Sequence, residues 1–78
     1  MVNYRTDLLQ SWIDFYTGCV RLIAESNGVF QRVKENNPGN QEIQDSCLII
    51  LHENKREIDY LMEKIDGYRN EANQLSRV

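Results

Sequence analysis

The cysteine and histidine residues are the first side chains whose chemistry must be considered in this chain. Its 78 residues include two cysteines, Cys19 and Cys47, and a single histidine, His52. A zinc site would need two or three further ligands at helical spacing from the histidine, but Lys55 and Arg56 stand there and would repel a cation. No serine or cysteine has a nearby base in the pattern of an activated nucleophile. We therefore expect no catalytic residue, no metal site and no cofactor.

The acidic residues and the glycines also give no catalytic pattern. Asp59 and Glu63 share a helix face, but carboxylates on a charged helix face are usually solvated. No glycine-rich phosphate-binding loop is present. Nine basic residues against twelve acidic ones give a net charge of −3, which argues against nucleic-acid binding because phosphate contacts need a basic patch. The sequence predicts a protein that is not an enzyme and has no small-molecule substrate.

Length and composition indicate one small folded domain. Apolar residues make up 41% of the chain and charged residues 27%, which is typical of a folded protein rather than a disordered one. No stretch approaches the roughly 18 apolar residues of a membrane span. The first ten residues have neither the basic start nor the apolar core of a signal peptide. These features, and cysteines at apolar positions where they would stay reduced, favour a cytoplasmic protein.

One interruption divides the chain into two arms of similar length. The segment 36–40, NNPGN, contains Pro38, which cannot continue a helix, and Gly39, which favours a turn. Neither arm alternates with the period of two that a strand requires. The sequence therefore predicts a first helix over about 4–35, a loop at 36–40 and a second helix over about 41–76.

The first arm carries an unusually wide apolar stripe. One row follows alternating spacings of four and three, which is the heptad pattern of a packed helix. This row comprises Leu8, Trp12, Phe15, Cys19, Leu22, Ser26, Val29 and Val33.

A second row at seven-residue spacing lies beside the first and comprises Leu9, Tyr16, Ile23 and Phe30, with Ile13 and Val20 on its flank. The stripe is then wider than a single neighbouring helix can cover. We expect the heptad row to face the second helix and the second row to lie at the rim, available to a partner protein or a second copy. The residues predicted to bind this partner are Leu9, Trp12, Ile13, Tyr16, Val20, Ile23 and Phe30.

The second arm has a narrower seam, with two features of note. Asn40 is the expected N-cap of the helix. Asn54 interrupts the apolar seam, either as a buried residue that sets the register or as a residue turned partly outward. Residues 47–51, at the start of the arm, are apolar on all sides of the helix. We therefore expect other parts of the protein to cover more than one side of this segment. The seam comprises Cys47, Leu51, Asn54, Ile58, Leu61, Ile65, Tyr68, Ala72 and Leu75.

Together the two arms predict an all-α fold, an antiparallel helical hairpin that assembles into a larger helical bundle. Gly28, in the turn-like stretch 26–28, leaves two alternatives, a continuous first helix or a break that gives three helices. In a hairpin folded at Pro38, Cys19 and Cys47 are offset by roughly 15 Å along the axis. A disulfide requires Cα atoms within about 7 Å, so we expect none.

The loop and the start of the second helix resemble a known family. The stretches ENN at 35–37, QEIQD at 41–45 and LII at 48–50 are similar to those of the small helical-hairpin co-chaperones of type III secretion needle subunits. The resemblance implies a short, acidic, cytosolic protein of two antiparallel helices. Such a protein associates with a larger helical-repeat chaperone, and the two keep the needle subunit unpolymerised.

Three functions fit these observations. The first is a binding module that docks to a partner through helix 1, as a secretion co-chaperone would. The second is a self-associating coiled-coil scaffold in the form of a four-helix bundle. The third is a small regulator that binds a protein component of a nucleic-acid machine. All three are protein–protein interactions.

Overall fold

The computed structural model describes residues 4–76, which form two long helices. Helix α1 spans Tyr4–Asn36 and helix α2 spans Gln41–Ser76. Residues 37–40 connect them, and no strand occurs within 4–76. The all-α helical hairpin expected from the sequence is confirmed, and the observed helix bounds lie within one residue of the expected ones.

Helix α1 runs without interruption through Gly28, so the three-helix alternative is wrong. The heptad phase on both sides of the glycine is the same, and the apolar residues before and after it pack on one neighbour. A Cβ built at Gly28 meets no atom within 4 Å, so no close approach requires a glycine there. The local cost of Gly28 is therefore outweighed by packing along the rest of the helix.

The connection is closed by side-chain hydrogen bonds to backbone groups that the two helix ends leave unpaired. The Asn40 carboxamide oxygen accepts a hydrogen bond from the Ile43 backbone N–H at 3.1 Å, which confirms Asn40 as the N-cap of α2. The Gln44 carboxamide donates to the carbonyl oxygens of Lys34 at 2.7 Å and Asn37 at 2.9 Å. Within 4–76 no residue has a positive φ, so the turn closes without a left-handed residue.

The helices pack antiparallel along their whole length. At the end of the hairpin opposite the turn, the Arg5 guanidinium donates to the Glu71 carboxylate at 2.7 Å. Near the middle, the Asn54 amide donates to the Asn27 carboxamide oxygen at 2.8 Å. The resulting rod measures 61 × 15 × 12 Å. In a rod this thin, the core is a single layer of side chains between the two helices.

The core is small for a chain of this length. The seam of α2 faces α1, as expected from its heptad spacing. Leu9 and Ile65 are almost fully enclosed, with 1% and 2% of their surface exposed. The buried residues among those described are Leu9, Ile13, Cys47, Leu61 and Ile65.

Candidate functional site

The structure reverses the sequence assignment of the two apolar rows of α1. The second row, expected at the rim, is the one that packs against α2. Among the seven residues predicted to bind a partner, only Trp12 is exposed. Leu9 and Ile13 are buried, and the other four, Tyr16, Val20, Ile23 and Phe30, are half-buried.

The composition of the rows gives the reason for this correction. The second row and its flank carry a large apolar side chain at almost every position. The heptad row contains two small residues, Cys19 and Ser26. Packing the second row against α2 therefore removes more apolar surface from water. Asn27 lies on the same side of α1, where it meets Asn54.

The heptad row consequently lies open along the outside of the hairpin, and we call it the outer seam. Phe15 is 59% exposed and Leu22 is 67% exposed. Cys19 is half-buried and so is Ser26. The exposed large members of the outer seam are Leu8, Trp12, Phe15, Leu22, Val29 and Val33.

Stacked aromatic rings connect the outer seam to the inside of the hairpin. The Tyr16 ring stacks on the Tyr68 ring of α2, with centroids 5.9 Å apart, and on the Trp12 ring at 5.8 Å. Phe15 meets Trp12 edge-on at 6.2 Å and Tyr16 at 5.5 Å. Since each ring is held by at least one other, Trp12 and Phe15 are positioned on the surface before any partner arrives.

A lysine of α2 lies at the edge of this aromatic cluster. The Lys64 ammonium lies 5.2 Å from the Tyr60 ring centroid and 6.0 Å from that of Tyr16, which is cation–π distance. A hydrogen bond with the Tyr60 side chain raises the pKa of Lys64. Loss of hydration raises the pKa of Tyr16, and the neighbouring Tyr68 raises it further. Both groups thus hold their protons more tightly in the folded hairpin.

The middle of the outer seam contains a shallow groove beside its small residues. The groove is lined by small, large apolar and charged residues, namely Gly18, Cys19, Phe15, Leu22, Asp14 and Arg21. A Cβ built at Gly18 meets nothing within 4 Å, so the space above it is open. In helix–helix contacts, a side chain of one helix fits into such a hole between four residues of the other.

A separate, smaller apolar patch lies on α2 near the turn. Leu48 and Ile49 are about half exposed there, whereas Cys47 is buried. The expectation that residues 47–51 are covered on more than one side is therefore not met within the hairpin. This patch has only two large apolar residues and does not repeat along the helix.

The histidine and the two cysteines differ in their exposure to solvent. His52 is exposed, Cys47 is buried, and Cys19 is half-buried, with both cysteines as free thiols. Within residues 4–76 no group of three histidine, cysteine or acidic residues is placed to hold a metal ion. Over the same residues, neither helix has an apolar stretch that would cross a bilayer.

Comparison with known proteins identifies no relative of this chain. No protein-family model matches it, no curated protein matches it, and no solved structure matches it. The function must therefore be inferred from the surface of the hairpin itself.

Proposed function

We propose that this chain is a non-enzymatic protein–protein interaction module that binds an α-helix along the outer seam. The observation that carries the proposal is that a regular heptad row, Leu8 to Val33, is exposed on a hairpin whose inside is already filled. A solvent-facing helix surface normally carries polar residues at such positions. A row that exposes six large apolar side chains instead marks an interaction surface.

The spacing of the row favours a helix as the bound element. Alternating steps of four and three residues keep one seam aligned with a neighbouring helix, with the knobs of each entering the holes of the other. From Leu8 to Val33 the seam is roughly 38 Å long at 1.5 Å per residue. An extended strand has a different repeat and would meet only some of these side chains.

The energy available is sufficient for binding. Fully burying a large apolar side chain from water stabilises a complex by roughly 1.5–3 kcal/mol, and half of that remains for a side chain that is half exposed. Six such residues on the outer seam give several kcal/mol before the cost of association is subtracted. Because Trp12 and Phe15 are already held by Tyr16, less side-chain entropy is lost when a partner binds.

Photo-cross-linking in the cells that make the protein tests this proposal. A benzophenone amino acid is placed at Leu22, at the centre of the outer seam, and in a matched variant at Ala24, which is exposed on the same helix but off the seam. We expect covalent adducts from position 22 and few or none from position 24. Equal yields at the two positions, or none at either, would refute binding through the outer seam.

The resemblance of residues 35–50 to needle-subunit co-chaperones supports a more specific version of this proposal. In that role the bound helix belongs to a larger helical-repeat chaperone, and the complex acts in the cytoplasm. The test is whether the chain co-purifies with such a chaperone and its needle subunit when the three are expressed together. Failure of the three to associate would remove the secretion role and leave the helix-binding function intact.

A further inference from the structure

We infer that the helix covering the outer seam is α1 of a second copy of this chain, packed antiparallel so that two hairpins form a four-helix bundle. This inference rests on the proposed function, since it names the partner of the same surface. Three properties of the chain carry it: the order of side-chain sizes along the seam, the distribution of charge between the helices, and the apolar area exposed.

Side-chain size changes along the outer seam in the way that antiparallel self-pairing requires. The N-terminal half carries the bulkiest residues, including Trp12 and Phe15, and the C-terminal half carries Ser26 and Val29. When two copies pair around a centre between Cys19 and Leu22, each bulky residue meets a small one. The layers are Leu8 with Val33, Trp12 with Val29, Phe15 with Ser26, and Cys19 with Leu22.

Parallel pairing of the same seam packs poorly. It would place Trp12 against Trp12 and Phe15 against Phe15, which overfills those layers. It would also place Ser26 against Ser26, which leaves space in that layer. Native packing density is reached by alternating large and small residues across facing positions, and only the antiparallel order provides this here.

Charge is distributed so that two copies can meet through α1. Helix α2 has eight acidic and four basic residues, whereas α1 has four of each, so α1 is neutral. Contact through α1 places the seam between the copies on the neutral helix, so the negative charge of α2 does not enter the seam itself. The exposed flank of the seam adds no clash, because antiparallel pairing places Glu25 near Gly18 and Arg32 near Ser11.

The exposed area suits a reversible dimer. An aromatic side chain has roughly 150–250 Å² to bury and an aliphatic one has less, so two aromatic and four aliphatic residues at about half exposure provide at most on the order of 600 Å² per copy. Two copies then bury at most about 1,200 Å², the lower end of the range for specific protein complexes. We therefore expect association that depends on protein concentration.

Sedimentation equilibrium of the purified chain tests self-association. The parent should change from monomer to dimer with increasing concentration. Leu22→Glu should weaken dimerisation at least 100-fold, because it buries a charge at the centre of the seam, while Ala24→Glu should change it less than threefold. Circular dichroism checks that both variants stay helical, as expected because both positions are exposed. A parent that stays monomeric at all concentrations would overturn the inference.

Pulsed electron paramagnetic resonance tests the orientation. Single spin labels are attached at Thr17→Cys or Gln31→Cys in a Cys19→Ser background whose dimer mass has been verified, with Cys47 buried beyond reach of the label. In an antiparallel dimer, the two labels are offset by roughly 10 Å along the axis at position 17 and by roughly 30 Å at position 31. The distance should therefore be clearly longer at position 31, and equal distances would overturn the antiparallel arrangement.

Failure of this inference is distinguishable from failure of the proposed function. If the purified chain is monomeric while position 22 cross-links to a different protein in cells, the second-copy inference is wrong and helix binding stands. If position 22 gives no more adduct than position 24 and the chain is monomeric, both are wrong. A cross-linked product of twice the chain mass from position 22 supports both.

Discussion

Asn27 and Asn54 form a hydrogen-bonded pair inside the hairpin, and the sequence indicated a structural role for only one of them. Asn54 was recognisable from the sequence because it interrupts an apolar heptad seam, and two interpretations of it were open. In the structure it is half-buried and hydrogen-bonded to Asn27, which favours a role in setting the register. Asn27 itself was not predicted to take part, because its neighbours Ser26 and Gly28 made the stretch resemble a turn.

The asparagine pair gives a prediction that a double-mutant cycle can measure. In Asn54→Ala or Asn27→Ala, the remaining amide keeps a polar group inside the hairpin without its partner. The free energy of unfolding of the double variant should therefore be about 1 kcal/mol higher than the sum of the two single effects predicts. Differences in helix propensity cancel in the cycle. Additive effects in urea titrations would show that the hydrogen bond contributes nothing.

The aromatic cluster around Tyr16 predicts how stability depends on pH. The pKa of Tyr16 is raised above its ordinary 10.0 by loss of hydration, and the pKa of Lys64 is raised above 10.5 by its hydrogen bond with Tyr60. A raised pKa means that the folded state binds a proton that the unfolded state has lost, so this stability is complete below about pH 10 and is lost as pH rises further. The melting temperature should fall above this pH.

Tyr16→Phe is the control for the pH prediction. It keeps the ring and its stacking on Trp12 and Tyr68, but it removes the ionisable hydroxyl. The variant should therefore lose stability less steeply between about pH 10 and 12, as followed by thermal melts. An identical decline in the parent and the variant would show that Tyr16 does not contribute to it.

At the scale of the helices, the apolar periodicity predicts the bounds of both helices but not the rotation of α1. Pro38 fixes the position of the turn, and uninterrupted heptads on both sides fix the lengths of the helices. Which half of a wide apolar stripe faces the neighbouring helix depends on the packing of all facing side chains, and a periodic pattern does not contain that information. The small residues Cys19 and Ser26 in the heptad row were the signal that this row lies outside.

Gly28 gives a prediction about α1 as an element. It has helical geometry, its φ is not positive, and a Cβ there would meet no atom within 4 Å. Gly28→Ala should therefore stabilise the hairpin by roughly 0.5–1 kcal/mol, because alanine loses less backbone entropy on folding. Urea denaturation at fixed protein concentration measures the change. A loss of stability would indicate that the helix bends or opens at this position.

At the scale of the whole molecule, the hairpin is a rod with little inside to stabilise it. Five residues of the described chain are buried, two of them almost fully, and the exposed large apolar residues of α1 lie mostly along its outer seam. A chain of this size folds stably when it gains further burial from association. In our proposal the dimer supplies that burial, so the melting temperature of the parent should increase with protein concentration.

Exchanging residue sizes across the proposed dimer provides the last prediction. Antiparallel pairing places Phe15 of one copy opposite Ser26 of the other. Phe15→Ser leaves two small residues facing each other, and Ser26→Phe forces two rings into one layer, so each change alone should weaken dimerisation about tenfold or more. The double variant Phe15→Ser/Ser26→Phe restores one large and one small residue in each layer. We expect it to dimerise more tightly than either single variant in sedimentation equilibrium. Rescue of this kind arises only where the two positions meet, because against an unrelated helix, or in a parallel dimer, the two defects would accumulate.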